Sequence, residues 1–416
     1  MPPLRHIAST LYRQRLMPTL VVMQIALACA ILVNALFLLG QQLAPMLVPD
    51  GIAKGQLLLV DQLVSRDGQW RASRIEAGAR ALRAVPGVHA VSPALGLPMK
   101  QTMMMTYDLK GPGGASATAS AFAGKGMLQS LGLELQQGRD FVASDYTDLD
   151  LSSRDGSTDK SATMPLILTA ALARKLFPDG GALGGQLRDA DAGGSGRYVV
   201  VGIVRHLLRY QVGELDDGKA EYAVLAPRRI TGTPILAYAV RTDPARRDAV
   251  HAAMPDVLKR EFGAELMPEI DVRVDDYESL RRDAFKPRRA AAWLLATVCA
   301  VVTFITLVGI ASLTGYWVAQ RTRQIGIRRA LGATRGQILR YFQVENLALT
   351  TIAVLIGMPL AYAINQWLMQ HYELARLPWY CLPIGVLALW LLGQVAVYGP
   401  ARRAAAVPPA MATRSV

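Results

Sequence analysis

Cysteine is scarce in this sequence, with 3 residues among 416. Cys29, Cys299 and Cys381 all lie in or at the edge of apolar runs, and none lies in the long charged section from 41 to 285. That section must therefore fold without disulfide bonds. The 5 histidines are scattered without the spacing of metal ligands, and no Ser-His-Asp or Cys-His set stands out. We therefore expect neither a metal site nor catalytic residues.

A nucleotide-binding loop of the form G-x-x-x-x-G-K-[ST] is also missing from the 416 residues. The backbone N–H groups and lysine of that loop are what hold the phosphates of ATP in many ATPases. We therefore expect no cofactor and no enzymatic activity in this chain. If ATP provides energy for its function, a separate partner chain must hydrolyse it.

Acidic residues are fewer than basic ones: the chain has 32 Asp and Glu and 45 Lys and Arg, which gives a net charge of +13. A basic chain can bind nucleic acid, but such proteins gather their cations on one face, often with aromatic residues. Here the arginines lie beside apolar runs instead. The pattern favours contact with a lipid bilayer and argues against nucleic acid.

Long apolar runs are abundant, since 52% of the residues are hydrophobic and they collect into four runs. Each run can cross a bilayer core of about 30 Å as a helix. The first run, 19–40, is too long for a signal peptide, whose apolar region has about 7 to 15 residues. Arginines near both chain ends place both termini in the cytoplasm, which requires an even number of spans.

The predicted fold class is an α-helical membrane protein with four transmembrane helices and a large α+β extracytoplasmic domain inserted between the first and the second. The predicted segments are a cytoplasmic flank (1–18), transmembrane helix 1 (19–40), the outer domain (41–285), a stalk end with transmembrane helix 2 (286–318), a cytoplasmic coupling helix (319–344), transmembrane helix 3 (345–368), transmembrane helix 4 (380–398) and a cytoplasmic tail (399–416).

Two polar residues interrupt the first apolar run, Gln24 and Asn34. Polar groups in lipid seek partners, so we expect this side of the helix to contact another helix. The outer domain shows mixed signals. Arg71 to Ala84 has helical spacing, and Tyr198 to Val204 is a β-branched run typical of a buried strand. This mixture predicts an α+β domain, with a possible inserted subdomain at about 118–225.

The arginine-rich stretch from Arg321 to Arg340 lies between the second and third runs. Positive charge in this position indicates a cytoplasmic turn. We expect the upstream helix to continue to Leu331 and to end at Gly332, because glycine commonly follows a helix C-terminus. The simplest interpretation of the arginines is topological, with some of them touching anionic lipid.

A second helix is predicted to start directly after this glycine. Thr334 and Gln337 have the spacing of a capping box. The new helix carries Ile338 and Phe342 on one side and continues into the third apolar run. A short helix on the inner membrane surface, continuous with the spans on both sides, is a place where a cytoplasmic partner can push.

The segment from Arg323 to Ala333, R-Q-I-G-I-R-R-A-L-G-A, followed by Glu345, resembles the signature of the FtsX/MacB superfamily of ABC-transporter permeases. The one departure is Gln324, where the family usually has glutamate, so an ion pair at that position is not expected. The resemblance implies that this segment contacts an ATPase. The implied interface residues are Arg323, Gln324, Ile325, Gly326, Arg328, Arg329, Leu331, Gly332, Ala333, Thr334, Gln337, Ile338, Tyr341, Phe342 and Glu345.

The outer section is similar to the periplasmic core domain of MacB-like permeases. The similar pieces are, in order, 82–88, 131–141, 171–178, 183–186 and 198–204, and residues 400–405 resemble the usual ending of the family. Each piece is weak by itself, but their order and spacing together are specific.

The resemblance implies a permease subunit in the bacterial inner membrane, with a periplasmic domain that responds to ATP hydrolysis in a separate ABC ATPase dimer. Transmission of force to the periplasm, for export or efflux, is the family's mechanism. The implied partners are a second permease copy or a homologous permease, and the lipid bilayer. A periplasmic adaptor and an outer-membrane duct are common further partners in the family.

Two alternatives stay open at this stage. A membrane-anchored sensor or scaffold with a ligand- or protein-binding outer domain would show the same first two spans around a soluble section. Within the family, release of lipoproteins or regulation of cell-wall hydrolases is as compatible with the sequence as efflux.

Overall fold

The computed structural model describes residues 16–100, 102–151, 163–190, 196–209, 219–372, 377–378 and 381–406. The chain divides into two compact units. A helical unit comprises Met1–Ala44 and Arg288–Val416, and an outer unit comprises Pro45–Pro287.

The helical unit is formed by long apolar helices and one short helix. They are α1 (Leu16–Leu47), α7 (Lys286–Gln320), α8 (Thr322–Ala330), α9 (Arg335–Tyr372) and α10 (Cys381–Ala405). Among the described residues, three stretches are long and apolar enough to cross a membrane: Pro18–Leu47, Lys286–Gln320 and Arg335–His371. Four spans were predicted; the fourth run forms α10, and its crossing stays a prediction.

Small residues let the long helices approach closely. A Cβ atom on Gly357 of α9 would lie 2.8 Å from the carbonyl oxygen of Ala26 in α1. A Cβ atom on Gly309 of α7 would lie 2.0 Å from the side-chain nitrogen of Gln24. In lipid the hydrophobic effect does not drive helices together, because lipid tails are as apolar as the side chains. Helix association therefore relies on close van der Waals packing of this kind.

The two polar residues of α1 do contact other helices, as the sequence predicted, but each contacts a different one. Gln24 donates a hydrogen bond to the backbone oxygen of Ile305 in α7 at 3.2 Å. Asn34 donates to Ala361 in α9 at 3.0 Å and to Ala30 in its own helix at 2.9 Å. These bonds fix the rotation of α1 against two neighbours, because a polar side chain turned into lipid would lose its partner.

The outer unit is built on strands, which pair into one large sheet and one small sheet. The strands are β1 (Leu57–Val64), β2 (Trp70–Arg71), β3 (Val88–Leu95), β4 (Met105–Lys110), β5 (Ser116–Gly124), β6 (Leu135–Gly138), β7 (Thr147–Asp150), β8 (Thr163–Thr169), β9 (Gln186–Asp189), β10 (Arg197–Val204), β11 (Ala223–Ala226), β12 (Arg228–Thr233), β13 (Ile235–Thr242) and β14 (Arg273–Asp276). The helices are α2 (Ala72–Arg83), α3 (Met127–Leu131), α4 (Ala170–Leu176), α5 (Arg247–Phe262) and α6 (Tyr277–Ala284).

Part of the large sheet closes into a ring. Its strand order is β11-β8-β10-β9-β4-β5-β3-β13-β1-β14, and β11 also pairs with β5. The second pairing joins the first six strands of this order into a closed circuit, and β3 connects the ring to the open part of the sheet. The ring strands lie between residues 105 and 226, whereas the sequence predicted an insertion at about 118–225. Closure leaves these strands fewer free edges.

Both faces of the open part of the sheet are buried. On β1, Leu58 and Val60 pack in one apolar cluster together with α2 and α5. Leu57 and Leu59 point to the other face and pack with α3 and Tyr277. A strand covered on both sides has apolar residues at successive positions rather than at alternate ones, which explains the unbroken run in the sequence.

We predict that Gly78→Ala loosens the packing of α2 on α5. A Cβ atom at this position would lie 2.3 Å from the ring of Phe262 and 2.4 Å from the hydroxyl of Tyr238. Both side chains are fully buried, and the Tyr238 hydroxyl is held by the carbonyl of Ile75 at 2.8 Å. Overpacking of this kind costs about 1–3 kcal/mol, more than the gain of about 1 kcal/mol in helix propensity.

The measurement is hydrogen–deuterium exchange of the full-length protein, which should show faster exchange in peptides from α2 and α5. Gly113→Ala is the matched control, since its backbone has no left-handed φ angle and no atom lies within 4 Å of the added Cβ. Equal exchange in the two variants would contradict the prediction.

Candidate functional site

The segment between α7 and α9, residues 321 to 345, is called the elbow below. The sequence predicted one helix from the upstream run to Leu331, and this is wrong because the chain turns at Arg321. α7 ends at Gln320 and α8 starts at Thr322. The Thr322 hydroxyl donates to the carbonyl oxygens of Val318 and Ala319 at 3.1 and 2.8 Å. Such bonds from Ser or Thr to the preceding turn bend helices.

The end of α8 is a Schellman motif. The N–H of Gly332 donates to the carbonyl of Arg329 at 3.1 Å, and that of Ala333 donates to Arg328 at 3.0 Å. Gly332 has a φ of 95°, in the left-handed region that a Cβ disfavours. The glycine therefore ends the helix, as the sequence predicted.

The start of α9 carries the predicted capping box. The Thr334 N–H donates to the side-chain oxygen of Gln337 at 3.0 Å, and the Gln337 N–H donates to the Thr334 hydroxyl at 3.3 Å. This reciprocal pair satisfies two N–H groups that a helix start leaves unpaired. From here α9 runs without interruption from Arg335 to Tyr372, so residues 335 to 342 are its first turns and the separate short helix is α8.

An ion pair ties the turn to α9. The Arg321 guanidinium lies 3.3 Å from the Glu345 carboxylate, and it also stacks on the Trp317 ring at 4.6 Å. Glu345 is only 1% exposed. A buried charge without a counterion is strongly destabilising, so the Glu345 carboxylate holds the α7–α8 turn at a fixed point beside α9.

Apolar packing holds the two arms of the elbow together. Ile325 of α8 is buried in the same cluster as Ile338 and Phe342 of α9, together with small residues of α10 such as Ala401. The Arg328 guanidinium lies over the Tyr341 ring at 5.3 Å. α8 is therefore attached to α9 and α10, and a displacement of α8 must displace these helices.

The predicted interface residues divide into two groups. The structure buries five of them: Ile325, Gly326, Ile338, Phe342 and Glu345. Seven are exposed: Arg323, Gln324, Arg328, Leu331, Gly332, Thr334 and Gln337. The remaining three, Arg329, Ala333 and Tyr341, are half-buried. The prediction treated all fifteen alike; the buried group can act only by supporting the exposed group.

Two residues missed by the sequence interpretation matter for this surface. Ile327 is 47% exposed and lies one helical turn before Leu331, which is 82% exposed. The i, i+4 spacing of the two apolar residues was the available signal. Arg321 was also missed as the counterion of Glu345, because no local pattern links two residues so far apart. The exposed surface of the elbow thus combines two apolar side chains with a set of arginines.

Comparison with known protein families gives two matches. The family model described as MacB-like periplasmic core domain matches residues 19–257, more than half of the chain. The model described as FtsX-like permease C-terminal matches residues 296–409. The second match includes the whole elbow.

Two curated relatives illustrate the similarity. The chain is 33% identical over 128 residues to the uncharacterized ABC transporter permease YknZ of Bacillus subtilis (strain 168), covering 29% of this chain and 31% of the relative. It is 27% identical over 192 residues to the macrolide export ATP-binding/permease protein MacB of Escherichia coli, covering 45% of this chain and 29% of the relative. The chain spans less than a third of the length of these relatives.

Among solved structures, the chain is similar to the periplasmic region of MacB from Actinobacillus actinomycetemcomitans. The sequence identity is 14% and the TM-score is 0.34, covering 57% of this chain and 95% of that chain.

We predict that removing one partner of the Arg321–Glu345 pair destabilises the protein more than removing both. Glu345→Leu leaves a buried guanidinium and Arg321→Met leaves a buried carboxylate, and each loss costs about 3–5 kcal/mol. The double variant leaves no unpaired charge, so its unfolding temperature in detergent should exceed that of either single variant.

Arg340→Met is the matched control, because it removes an exposed arginine from α9 and should leave the unfolding temperature near that of the parent. A double variant whose loss equals the sum of the two single losses would show that the side chains do not interact.

Proposed function

Because the chain belongs to the family of permeases that combine a MacB-like periplasmic core domain with an FtsX-like C-terminal domain, we propose that it is the permease subunit of an ABC transporter driven by a separate ATPase dimer. Hydrolysis in the ATPase moves the elbow, and the helices carry this movement to the outer unit. The single observation that supports this proposal best is the elbow itself. It presents exposed apolar and basic side chains on helices that are locked together behind them.

Three contacts make the elbow suitable as a coupling element. The Schellman motif and the capping box set the angle between α8 and α9. The buried pair Arg321–Glu345 fixes the start of α8. A partner that binds Ile327 and Leu331 therefore pushes on a rigid corner. Interface energy usually resides in a few such apolar or arginine anchors.

The proposed mechanism is mechanical rather than channel-like. Among the polar side chains of the long helices, Gln24 and Asn34 bond to neighbouring helices and Asn365 accepts from the backbone N–H of Leu377. A path for a polar solute would require polar lining. Force transmitted to a periplasmic domain requires only helices that are continuous and tied together.

We base the proposed cargo and the proposed assembly on the relatives of this chain. The name of one relative specifies macrolide export, which favours export or efflux of a substrate for this chain. Release of lipoproteins and regulation of cell-wall hydrolases are the family alternatives. We propose a second permease copy or a homologous permease as partner, with a periplasmic adaptor and an outer-membrane duct as further components. The location is the inner membrane, with four spans, both termini in the cytoplasm and the outer unit in the periplasm.

One prediction of the proposed function concerns the ATPase. The tagged full-length chain, purified from its native membrane, should carry an ABC-type ATPase whose rate in lipid nanodiscs exceeds that of the free ATPase. Leu331→Asp places a charge in the apolar contact and should reduce the stimulated rate or the affinity at least tenfold, a loss of about 1.4 kcal/mol. Met267→Asp changes a partly exposed apolar residue of the outer unit and should have no effect.

A sensor or scaffold gives a different result in this experiment. A chain that co-purifies with no ATPase, and whose Leu331→Asp variant behaves as the parent, would support that alternative and end the transporter proposal.

Another prediction of the proposed function concerns topology. Single cysteines introduced at Thr334 and Met267 should lie on opposite sides of the membrane, because the elbow is proposed to be cytoplasmic and the outer unit periplasmic. In intact spheroplasts a membrane-impermeant maleimide should label Met267→Cys and should label Thr334→Cys only after lysis. The parent chain provides the background from its native cysteines. Labelling of both positions in intact spheroplasts would contradict the proposed orientation.

A further inference from the structure

The chain passes between its two units twice, once before Pro45 and once after Pro287. Inside the outer unit, the residues next to these two connections contact one another. Asp50 follows the first connection, and α6, Tyr277–Ala284, precedes the second. The Tyr277 hydroxyl donates to the Asp50 carboxylate at 3.0 Å, although 227 positions separate the two residues.

Arg281 forms the second link. Its Nε lies 3.0 Å from the Asp50 carboxylate, and its terminal nitrogen donates to the carbonyl oxygens of Met46 and Val48 at 3.2 and 3.5 Å. Met46 is in the last turn of α1, which has no basic residue of its own. Helix C-termini leave carbonyl groups unpaired and carry partial negative charge, so the guanidinium of α6 caps α1.

Burial makes these links strong. Asp50 is 2% exposed and Tyr277 is fully buried. Burial and the neighbouring Asp50 carboxylate raise the pKa of Tyr277, so the phenol remains protonated and donates to Asp50. Lys54 adds an outer ion pair with the same carboxylate at 3.2 Å. The Tyr277 bond has an ionised acceptor, and hydrogen bonds with one charged partner are stronger than neutral ones.

The cluster also reaches the start of the next long helix. The Arg281 guanidinium lies over the ring of Phe285 at 5.1 Å. Phe285 is 3% exposed and directly precedes α7, which begins at Lys286. One arginine therefore contacts the end of α1, the carboxylate of Asp50 and the residue before α7.

We propose that Asp50, Tyr277 and Arg281 form a clasp that holds the two connections of the outer unit at a fixed separation, so that α1 and α7 move the outer unit as one body. The three residues are positioning residues, and the inference rests on the proposed function. Without the clasp, movement of α7 would slide the two connections past each other. The work done by the ATPase would then distort the connections instead of moving the outer unit.

The test uses the full-length chain in nanodiscs with its ATPase, after replacement of the native cysteines by alanine. One pair of spin labels at Leu47 and Lys286 reports the separation of the connections. A second pair at Met267 and Leu355 reports the ATP-dependent displacement of the outer unit. Asp50→Asn preserves shape but removes the charge, and Tyr277→Phe removes only the hydroxyl. Asp148→Asn is the control, since it removes an exposed ion pair with Arg229 at 2.7 Å.

The clasp predicts one narrow distance for the first pair in the parent and in the control, with and without ATP. Asp50→Asn should broaden this distance and at least halve the ATP-dependent change of the second pair, while ATPase binding and rate stay within twofold of the parent. Tyr277→Phe, which keeps the ion pair, should give a smaller effect in the same direction.

The outcomes separate the two claims. If Asp50→Asn and Tyr277→Phe both keep the narrow distance and the full ATP-dependent change, the clasp is refuted while the proposed function stands. If the parent itself shows no ATPase binding and no ATP-dependent change, the proposed function fails. Loss of ATPase binding in Asp50→Asn together with an unaltered first distance would also refute the clasp, because it would indicate general damage rather than uncoupling.

Discussion

The buried ion pair between Arg321 and Glu345 is the interaction on which the inner part of the protein depends. A charge in an apolar interior needs its counterion close by, so the turn after α7 must lie where the carboxylate of α9 is. This requirement fixes the position of α8 relative to α9. The position of α8 also determines which of its side chains remain exposed. Ile325 turns inward against Phe342, whereas Leu331 remains exposed for a partner.

Bonds from side chains to backbone carbonyl groups of another segment recur in both units. Asn34 reaches Ala361 in the helical unit. In the outer unit the Trp70 ring donates to Leu63 at 2.7 Å, and Arg281 donates to Met46. Each bond joins two segments of the chain, and the one from Arg281 reaches a helix C-terminus, where carbonyl groups have no partner within the helix. Buried polar side chains in this protein therefore specify how its segments are arranged.

The sequence predicted the features that depend on neighbouring residues. Gly332, the Thr334–Gln337 box and the buried strand at Tyr198 carry local signals, and the structure contains all three. The turn at Arg321 and the clasp at Asp50 were not predictable in this way, since their partners are distant in sequence. Short strands such as Gln186–Asp189 show too few residues for a period of two. The family resemblance located the elbow, but the outward-facing residues emerged only from the packing.

Ring closure in the outer unit has a consequence for how the protein is made. The pairing that completes the ring joins β5 to β11, residues as distant in sequence as Ser120 and Ala223. Contacts between such distant residues form slowly, because a long loop must close first. During synthesis the early strands of the ring emerge with open edges, which attract other unpaired strands. The outer unit is therefore most vulnerable to aggregation before β11 has been synthesised.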